Sequence, residues 1–212
     1  MSRKNLIILA VLHFTVLNCK KNQNANTSNL EGDFYYSNSA HLSYYFPKGF
    51  SSFVFENEAD YDSILSSIKN QKLKKMLSGY YINRHIIPIA NNFQYLFKED
   101  SVNYQNIFVN EVDYFRLNDA GASGLSSMNR FYKNNINKDS TRHLNVYKDY
   151  FINKSDYQII VNKGDFLLSN DTIFWENYIV SKFYRTFSIQ IESNFKTDFL
   201  PYIEKVQFGD KR

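Results

Sequence analysis

Residues with chemistry to offer are few and scattered. Gly121-Ala122-Ser123-Gly124 comes nearest to a hydrolase nucleophile turn. That turn needs glycine two residues either side of the serine, so that the backbone can bend sharply and present the hydroxyl. Gly121 fits, but Leu125 occupies the other place, and nothing in the sequence brings Asp119 or His143 to Ser123 as partners. A helix start capped by Ser123 or Asp119 is the plainer account. Glu56, Glu58, Asp60 and Asp62 alternate through ENEADYD, a pattern found in oxygen-rich calcium loops. Such a loop wants glycine at its sixth place and glutamate at its twelfth. Counted from Glu58, those places hold Ser63 and Lys69. Acids ahead of a helix also complement its N-terminal dipole. His41, His85 and His143 stand far apart, with no HExxH and no second histidine at i+4, so no metal site is expected. Arg84-His85 could bind an anion and reads more simply as a turn or surface pair. Phe174, Trp175 and Tyr178 could form a ligand platform, although neighbours 174 and 175 face opposite sides of a strand. No glycine-rich loop suited to phosphate appears. The expectation is a chain with no catalytic residue, no cofactor-binding residue and no metal ligand.

Cys19 is the exception, because its position is informative. It is the sole cysteine, so no internal disulfide can form. Arg3 and Lys4 make a cationic start, and Leu6 to Leu17 (LIILAVLHFTVL) follows as a mostly apolar run. At about twelve residues that run is too short to span a bilayer comfortably as a helix and suits the apolar core of a secretory signal. Val16-Leu17-Asn18-Cys19 comes directly after. This segment resembles the lipobox of bacterial lipoproteins, with Asn18 standing where Gly, Ala or Ser is usual. The resemblance covers residues 1–19. It implies cleavage before Cys19, a diacylglyceryl group on its thiol and usually an acylated new N-terminus, hence membrane attachment through lipid. Two or more acyl chains anchor stably where one does not. Lys20 stands in place of the aspartate that retains many lipoproteins at the inner membrane, which by resemblance favours the outer membrane. Lys20 and Lys21 read as a solvated pair that could also touch anionic headgroups. KKNQNANTSN (residues 20–29) holds no aromatic or branched aliphatic residue and cannot offset its ordering entropy by burial. It reads as a tether reaching on the order of 15–20 Å. The expected organisation is 1–18 signal, 19–32 lipidated cysteine and tether, and 33–212 one globular domain.

Composition agrees with a globular domain: 43% hydrophobic and 22% charged. Of 25 basic residues, Arg3 and Lys4 lie in the export segment, which leaves 23 against 21 acidic ones. Basic residues do not cluster with aromatics, so no nucleic-acid partner is expected. The 19 Phe and 17 Tyr could supply stacking surfaces. An AT-rich genome and a ring-packed core account for them more simply.

The elements that must carry these residues follow from periodicity. Leu42–Phe46 and Ser52–Phe55, separated by Pro47-Lys48-Gly49, read as a strand pair. Asp60 to Leu77 reads as one helix ending before Gly79, with Ile64, Leu65, Ile68, Leu73, Met76 and Leu77 at helical spacing. Tyr80–Ile89 is ambiguous. Phe93–Phe97 and Ile107–Leu117 read as strands, and Ser123–Asn134 as a helix with Leu125, Met128, Phe131 and Tyr132 inward. Tyr157–Asn162 and Asp165–Leu168 flank Lys163-Gly164 as separate strands; Thr172–Lys182 and Thr186–Glu192 follow. Phe187, Ile189 and Ile191 alternate with polar residues, as in a half-buried antiparallel strand. A short helix spans about Asp198–Val206, with Pro201 tolerated in its first turn. The sum is α+β: an antiparallel sheet with helices packed against it. Tyr44-Tyr45-Phe46-Pro47-Lys48-Gly49-Phe50 and Phe187 to Phe208 resemble the opening turn and the last strand and helix of the Mog1/PsbP-like family. That resemblance, over about a fifth of the chain, implies a helix–sheet–helix sandwich and a binding or assembly-assisting role without a shared catalytic centre.

The function expected is therefore a non-catalytic envelope lipoprotein that binds or supports another component, an envelope protein or a glycan. The competing expectation is an envelope hydrolase or other enzyme whose dispersed residues converge only in the fold.

Overall fold

Alternating apolar residues make strand the commonest element among the described residues, and the alternation assigns each side chain to a face. In the computed structural model the described residues are 30–37, 42–55, 58–83, 93–114, 116–136, 144–168 and 171–208. The chain divides into two compact units, Met1–Glu31 and Gly32–Arg212. The second runs β1 (Asp33–Ser37), β2 (Leu42–Phe46), β3 (Ser51–Phe55), α1 (Glu58–Ser67), α2 (Gln71–Asn83), β4 (Phe93–Glu99) and β5 (Tyr104–Val112). It continues through α3 (Asp119–Ile136), β6 (Leu144–Asn153), β7 (Gln158–Leu168), β8 (Asp171–Lys182), β9 (Arg185–Ser193), α4 (Leu200–Ile203) and β10 (Gln207–Phe208). The signal, Cys19 and the tether as far as residue 29 lie outside the described residues.

Among the described residues two sheets form, of orders β1-β2-β10 and β3-β4-β5-β9-β8-β7-β6. Every pairing is antiparallel. With helices packed on the sheets, the fold class is α+β. In β9, Phe187, Ile189 and Ile191 are buried on one face, opposite Glu111, Val109 and Ile107 of β5. All of these but Glu111 join one core cluster with Tyr44 and Phe46 of the small sheet and Phe199 and Ile203 around α4. Tyr95, Phe97, Tyr104 and Ile173 point from the other face and meet Tyr61, Ile64, Ile68, Leu73, Met76 and Leu77 of the helix pair. The large sheet thus has a small-sheet face and a helix face.

Several elements differ from their sequence reading, each for a physical reason. β2 and β3 do not pair with one another. β2 joins β1 and β10, and β3 joins β4; Gly49, at φ +89°, lets the chain turn from one sheet into the other. The long helix is two helices broken at residues 68–70. Glu99 accepts hydrogen bonds from the amides of Lys69 and Asn70, both at 2.8 Å, and Asn70 Oδ1 caps the next turn from Lys72 and Leu73 at 3.1 Å each. Gly79 lies inside α2. β5 starts earlier than expected and stops at Val112, and α3 begins at Asp119. β7 is one continuous strand through Lys163-Gly164. A Cβ on Gly164 would come within 2.6 Å of Trp175 Cζ2 and 2.0 Å of the Asn145 carbonyl oxygen. The glycine therefore makes room for a ring rather than a turn. Opposite it β6 carries a bulge between Val146 and Lys148. The side chains of Met128, Phe131 and Tyr132 lie outside the described residues, and Leu125 is half-buried.

Candidate binding site

The fold does not assemble the serine turn. Ser123 sits exposed on α3, where its carbonyl accepts from Ser127 Oγ at 2.9 Å. The helix is capped by neither Ser123 nor Asp119 but by Asn118, whose Oδ1 accepts from the Gly121 amide at 2.8 Å. Asp60 and Asp62 fall on α1 two residues apart and so on different sides of the helix. Glu58 begins that helix, whereas Glu56, His41, Arg84, His85 and His143 lie outside the described residues. Among the described residues no group of three His, Cys, Asp or Glu side chains is placed to hold a metal. Strand β8 splits the aromatic set: Phe174 and Tyr178 take the small-sheet face and Trp175 the helix face.

The strongest charge cluster lies on the small-sheet face, on residues the sequence reading passed over. Lys163 Nζ donates to Glu176 Oε2 at 2.7 Å and to Asp198 Oδ1 at 2.6 Å. Glu176 also accepts from the Tyr178 hydroxyl, from Thr197 Oγ1 at 2.6 Å and from the Phe199 amide at 3.1 Å. Lys163 and Glu176 side chains are each 5% exposed and Asp198 60%. Burial alone would lower the Lys163 pKa, but its bonds to Asp198 and Glu176 outweigh that and hold it above 10.5. Burial would raise Asp198, yet the bond and charge of Lys163 hold it below the usual carboxylate range. Burial and the Glu176 charge push the Tyr178 hydroxyl strongly upward. Lys163, Asp198 and Tyr178 are thus fixed in their ordinary states, and the cluster's bonds are spent on fastening residues 197–200 to β7 and β8. An acid or base in catalysis needs the opposite, a pKa drawn toward the working pH.

A cleft of about 410 Å³ opens beside this cluster, lined by Pro47, Lys98, Gln105, Phe195, Asp198 and Tyr202 among others. A second one of about 730 Å³ lies over Lys69, Lys72, Asp100 and Val102. Their carboxylates are committed too. Glu99 holds the α1–α2 break, and Asp100 accepts from the Asn103 and Val102 amides at 2.7 Å each, bonds that lower its pKa.

On the helix face the situation reverses. Asn106 on β5 stands opposite Glu192 on β9, which stands opposite Trp175 on β8. In the adjoining row Tyr95, Phe108, Gln190, Asn177, Asn162 and Asp149 succeed one another across six strands. Asn162 Nδ2 donates to Asp149 Oδ1 at 2.8 Å, so that end is satisfied. Both amide atoms of Asn106, the Tyr95 hydroxyl, Trp175 Nε1 and Asn177 Oδ1 are buried without a hydrogen-bond partner. Gln94 Oε1 is likewise unpaired but lies on the opposite face, where Gln94 Nε2 donates to Ser52 Oγ at 2.6 Å. An unsatisfied buried polar group costs about 1–3 kcal/mol, and native folds hold few. Here several share one face. The signal available in the sequence was Asn106 and Asn177 interrupting otherwise apolar or aromatic strand positions, which alternation alone assigns to solvent.

No protein-family model matches the chain, and no curated protein matches it. Among solved structures it is similar to the solution structure of cyanobacterial PsbP (CyanoP) from Synechocystis sp. PCC 6803. The two share 8% identity over 87% of this chain and 96% of that one, with a TM-score of 0.47. A likeness at that level carries no argument about family or function.

Proposed function

We propose that this chain is a non-catalytic lipoprotein of a bacterial cell envelope, held by lipid on Cys19, whose folded unit binds another envelope component, a protein or a glycan. The observation that carries the non-catalytic reading is the saturation of Lys163, Glu176 and Asp198 by mutual and backbone bonds. Unspent hydrogen-bonding capacity on the helix face belongs to amide and indole groups, which do not exchange protons at ordinary pH, and to the Tyr95 phenol, which burial holds protonated. Anchoring through Cys19 rests on the lipobox-like segment, and the outer membrane is favoured over the inner by Lys20. No helix among the described residues is long and apolar enough to cross a membrane. Core clusters on both faces of the large sheet support reading the domain as a helix–sheet–helix sandwich of the kind its sequence resembles, with the small sheet sharing the α4 layer.

Two experiments test this. Cells given a labelled fatty acid incorporate label into the protein, and Cys19→Ala abolishes incorporation; equal labelling of the variant ends the anchor proposal. In a deletion strain with a phenotype, folded Ser123→Ala, His85→Ala and His143→Ala variants each restore wild-type behaviour. Complete failure by one that is folded and normally abundant makes the protein an enzyme, with that residue first at its site.

A further inference from the structure

We infer that the outward face of the small sheet, carried by Phe34, Tyr36, Tyr45, Tyr202 and Lys205, seats the folded unit on the surface of a lipid bilayer. The inference rests on the reading of Cys19 as the lipid anchor and names a second contact with the same membrane.

Geometry comes first. In β1 Tyr35 turns toward the core, where its hydroxyl accepts from the Phe50 amide at 3.0 Å, so Phe34 and Tyr36 turn outward. In β2 Tyr44 and Phe46 are buried, so Ser43 and Tyr45 share the outward side. Phe34 is 62% exposed and Tyr36 53%. The rings are contiguous: Phe34 and Tyr45 lie 5.0 Å apart, and Tyr45 and Tyr202 6.1 Å. Lys205 Nζ stands 5.0 Å from the centre of the Tyr45 ring. A Cβ on Gly32 would come within 2.9 Å of that ring, so the chain enters the folded unit right against the patch. Single exposed aromatics are ordinary on a protein surface, whereas a continuous patch marks a contact site. Neither cleft is lined by Phe34, Tyr36 or Tyr45, so the patch offers a surface rather than either hollow.

Chain length and chemistry then select the occupant. Phe34 is fifteen residues from Cys19, so even a fully extended chain keeps it within roughly 50 Å of the lipid. Tyrosine, with an apolar body and a polar tip, settles at the headgroup level of a bilayer. The outward rows hold Phe34, Tyr36, Ser43, Tyr45 and Gln207, with no carboxylate for anionic headgroups to repel. Glu204, beside Lys205 in the chain, is taken up by the Tyr157 hydroxyl at 3.2 Å. Lys205 adds a cation, which an anionic leaflet attracts. A glycan platform needs hydrogen-bonding groups fixed around its rings, and Ser43 and Gln207 are the only non-aromatic ones in these rows. Lipid on Cys19 supplies attachment and the patch supplies orientation, with the helix face of the large sheet held away from the membrane.

The test reads orientation. The protein is purified from membranes and reconstituted in vesicles of phosphatidylethanolamine and phosphatidylglycerol that contain a brominated lipid, which quenches tryptophan on contact. One tryptophan is added by Phe34→Trp or, as a control, by Lys75→Trp on the exposed side of α2, across the large sheet. Trp175, the one native tryptophan, gives a baseline that wild type measures and that is subtracted. Emission from the Phe34→Trp reporter is expected to shift to the blue and to be quenched at least threefold more than that from Lys75→Trp. Adding Tyr36→Ser and Lys205→Glu should cut its quenching at least twofold with circular dichroism unchanged. Equal quenching at the two positions, strong or weak, overturns the inference. So does a Phe34→Trp shift produced by N-acetylglucosamine oligomers and not by vesicles, which makes the patch a glycan platform. The anchor is read separately, by fatty-acid labelling of Cys19. If label is absent and added vesicles still quench the Phe34→Trp reporter selectively, the anchor falls and the patch stands.

Discussion

Glu176 concentrates the consequences of burial in one side chain. It accepts from Lys163, Tyr178, Thr197 and the Phe199 amide, so Glu176→Ala strands a cation that is 5% exposed. Removing one partner of a buried pair costs about 3–5 kcal/mol, which for a domain of this size lowers Tm by on the order of 10 °C. Calorimetric melting checks it, and a change under about 2 °C would show that Asp198 alone can neutralise Lys163. Gly164→Ala tests the seat of the tryptophan. Its Cβ meets a carbonyl and a ring inside van der Waals range, so a loss of about 3 kcal/mol and a shifted Trp175 emission are expected. Little of this was legible. Lys163-Gly164 has the composition of a turn, and only the register opposite Glu176 and Trp175 shows a buried cation beside a glycine under a ring. The two amides of the helix face were equally silent, because solvated and buried asparagines look alike in one sequence.

Elements were far more legible than residues, because periodicity is local and partnership is not. β4, β8 and β9 lie where alternation places them, and α1 buries Tyr61 and Ile64 at helical spacing, which Ile68 continues just past its end. What failed was pairing and interruption. The strand pair 42–46 and 52–55 is divided between sheets, and the helix is broken by Glu99, some thirty residues away in the chain. β1 and β6 went unread. The β8–β9 hairpin holds a further surprise: its two turn residues are Phe183 and Tyr184, at φ 50° and 58° and both exposed. Turns of this sort favour Asn-Gly, and left-handed backbone costs an L-residue about 1–2 kcal/mol. The double substitution Phe183→Asn with Tyr184→Gly should therefore raise stability by roughly 1–3 kcal/mol in urea unfolding. The bidentate contact of Arg185 with Glu111, at 3.0 Å for each bond, holds the strand end in either case. A destabilised double variant would mean that the contacts of Tyr184, such as its ring pairing with Tyr114 at 5.7 Å, outweigh the backbone cost.

Across the whole molecule, the Lys163–Asp198 pair sets how stability follows pH. Asp198, depressed below 3.8, contributes above that value and loses its contribution as pH falls through its folded pKa. Lys163, raised above 10.5, contributes below that value and loses its contribution as pH rises through its own. The stability difference between wild type and Asp198→Asn should therefore be level from about pH 5 to 9 and shrink below about pH 4. Urea midpoints across pH measure it, and a difference that changes near neutrality would implicate another group. Limited proteolysis should cut within residues 20–32 and leave one resistant fragment; two fragments divided near residue 140 would reveal a second domain. The small sheet has a further consequence, in time rather than energy. Ser43 pairs with Gln207, and Tyr44 and Phe46 bury themselves with Phe199 and Ile203. A chain made from its N-terminus writes β2 early and must wait for more than one hundred and fifty residues before its closing partners exist. β1 and β2 can pair with each other at once, but their apolar face stays uncovered through nearly all of synthesis, until residues 199–208 arrive.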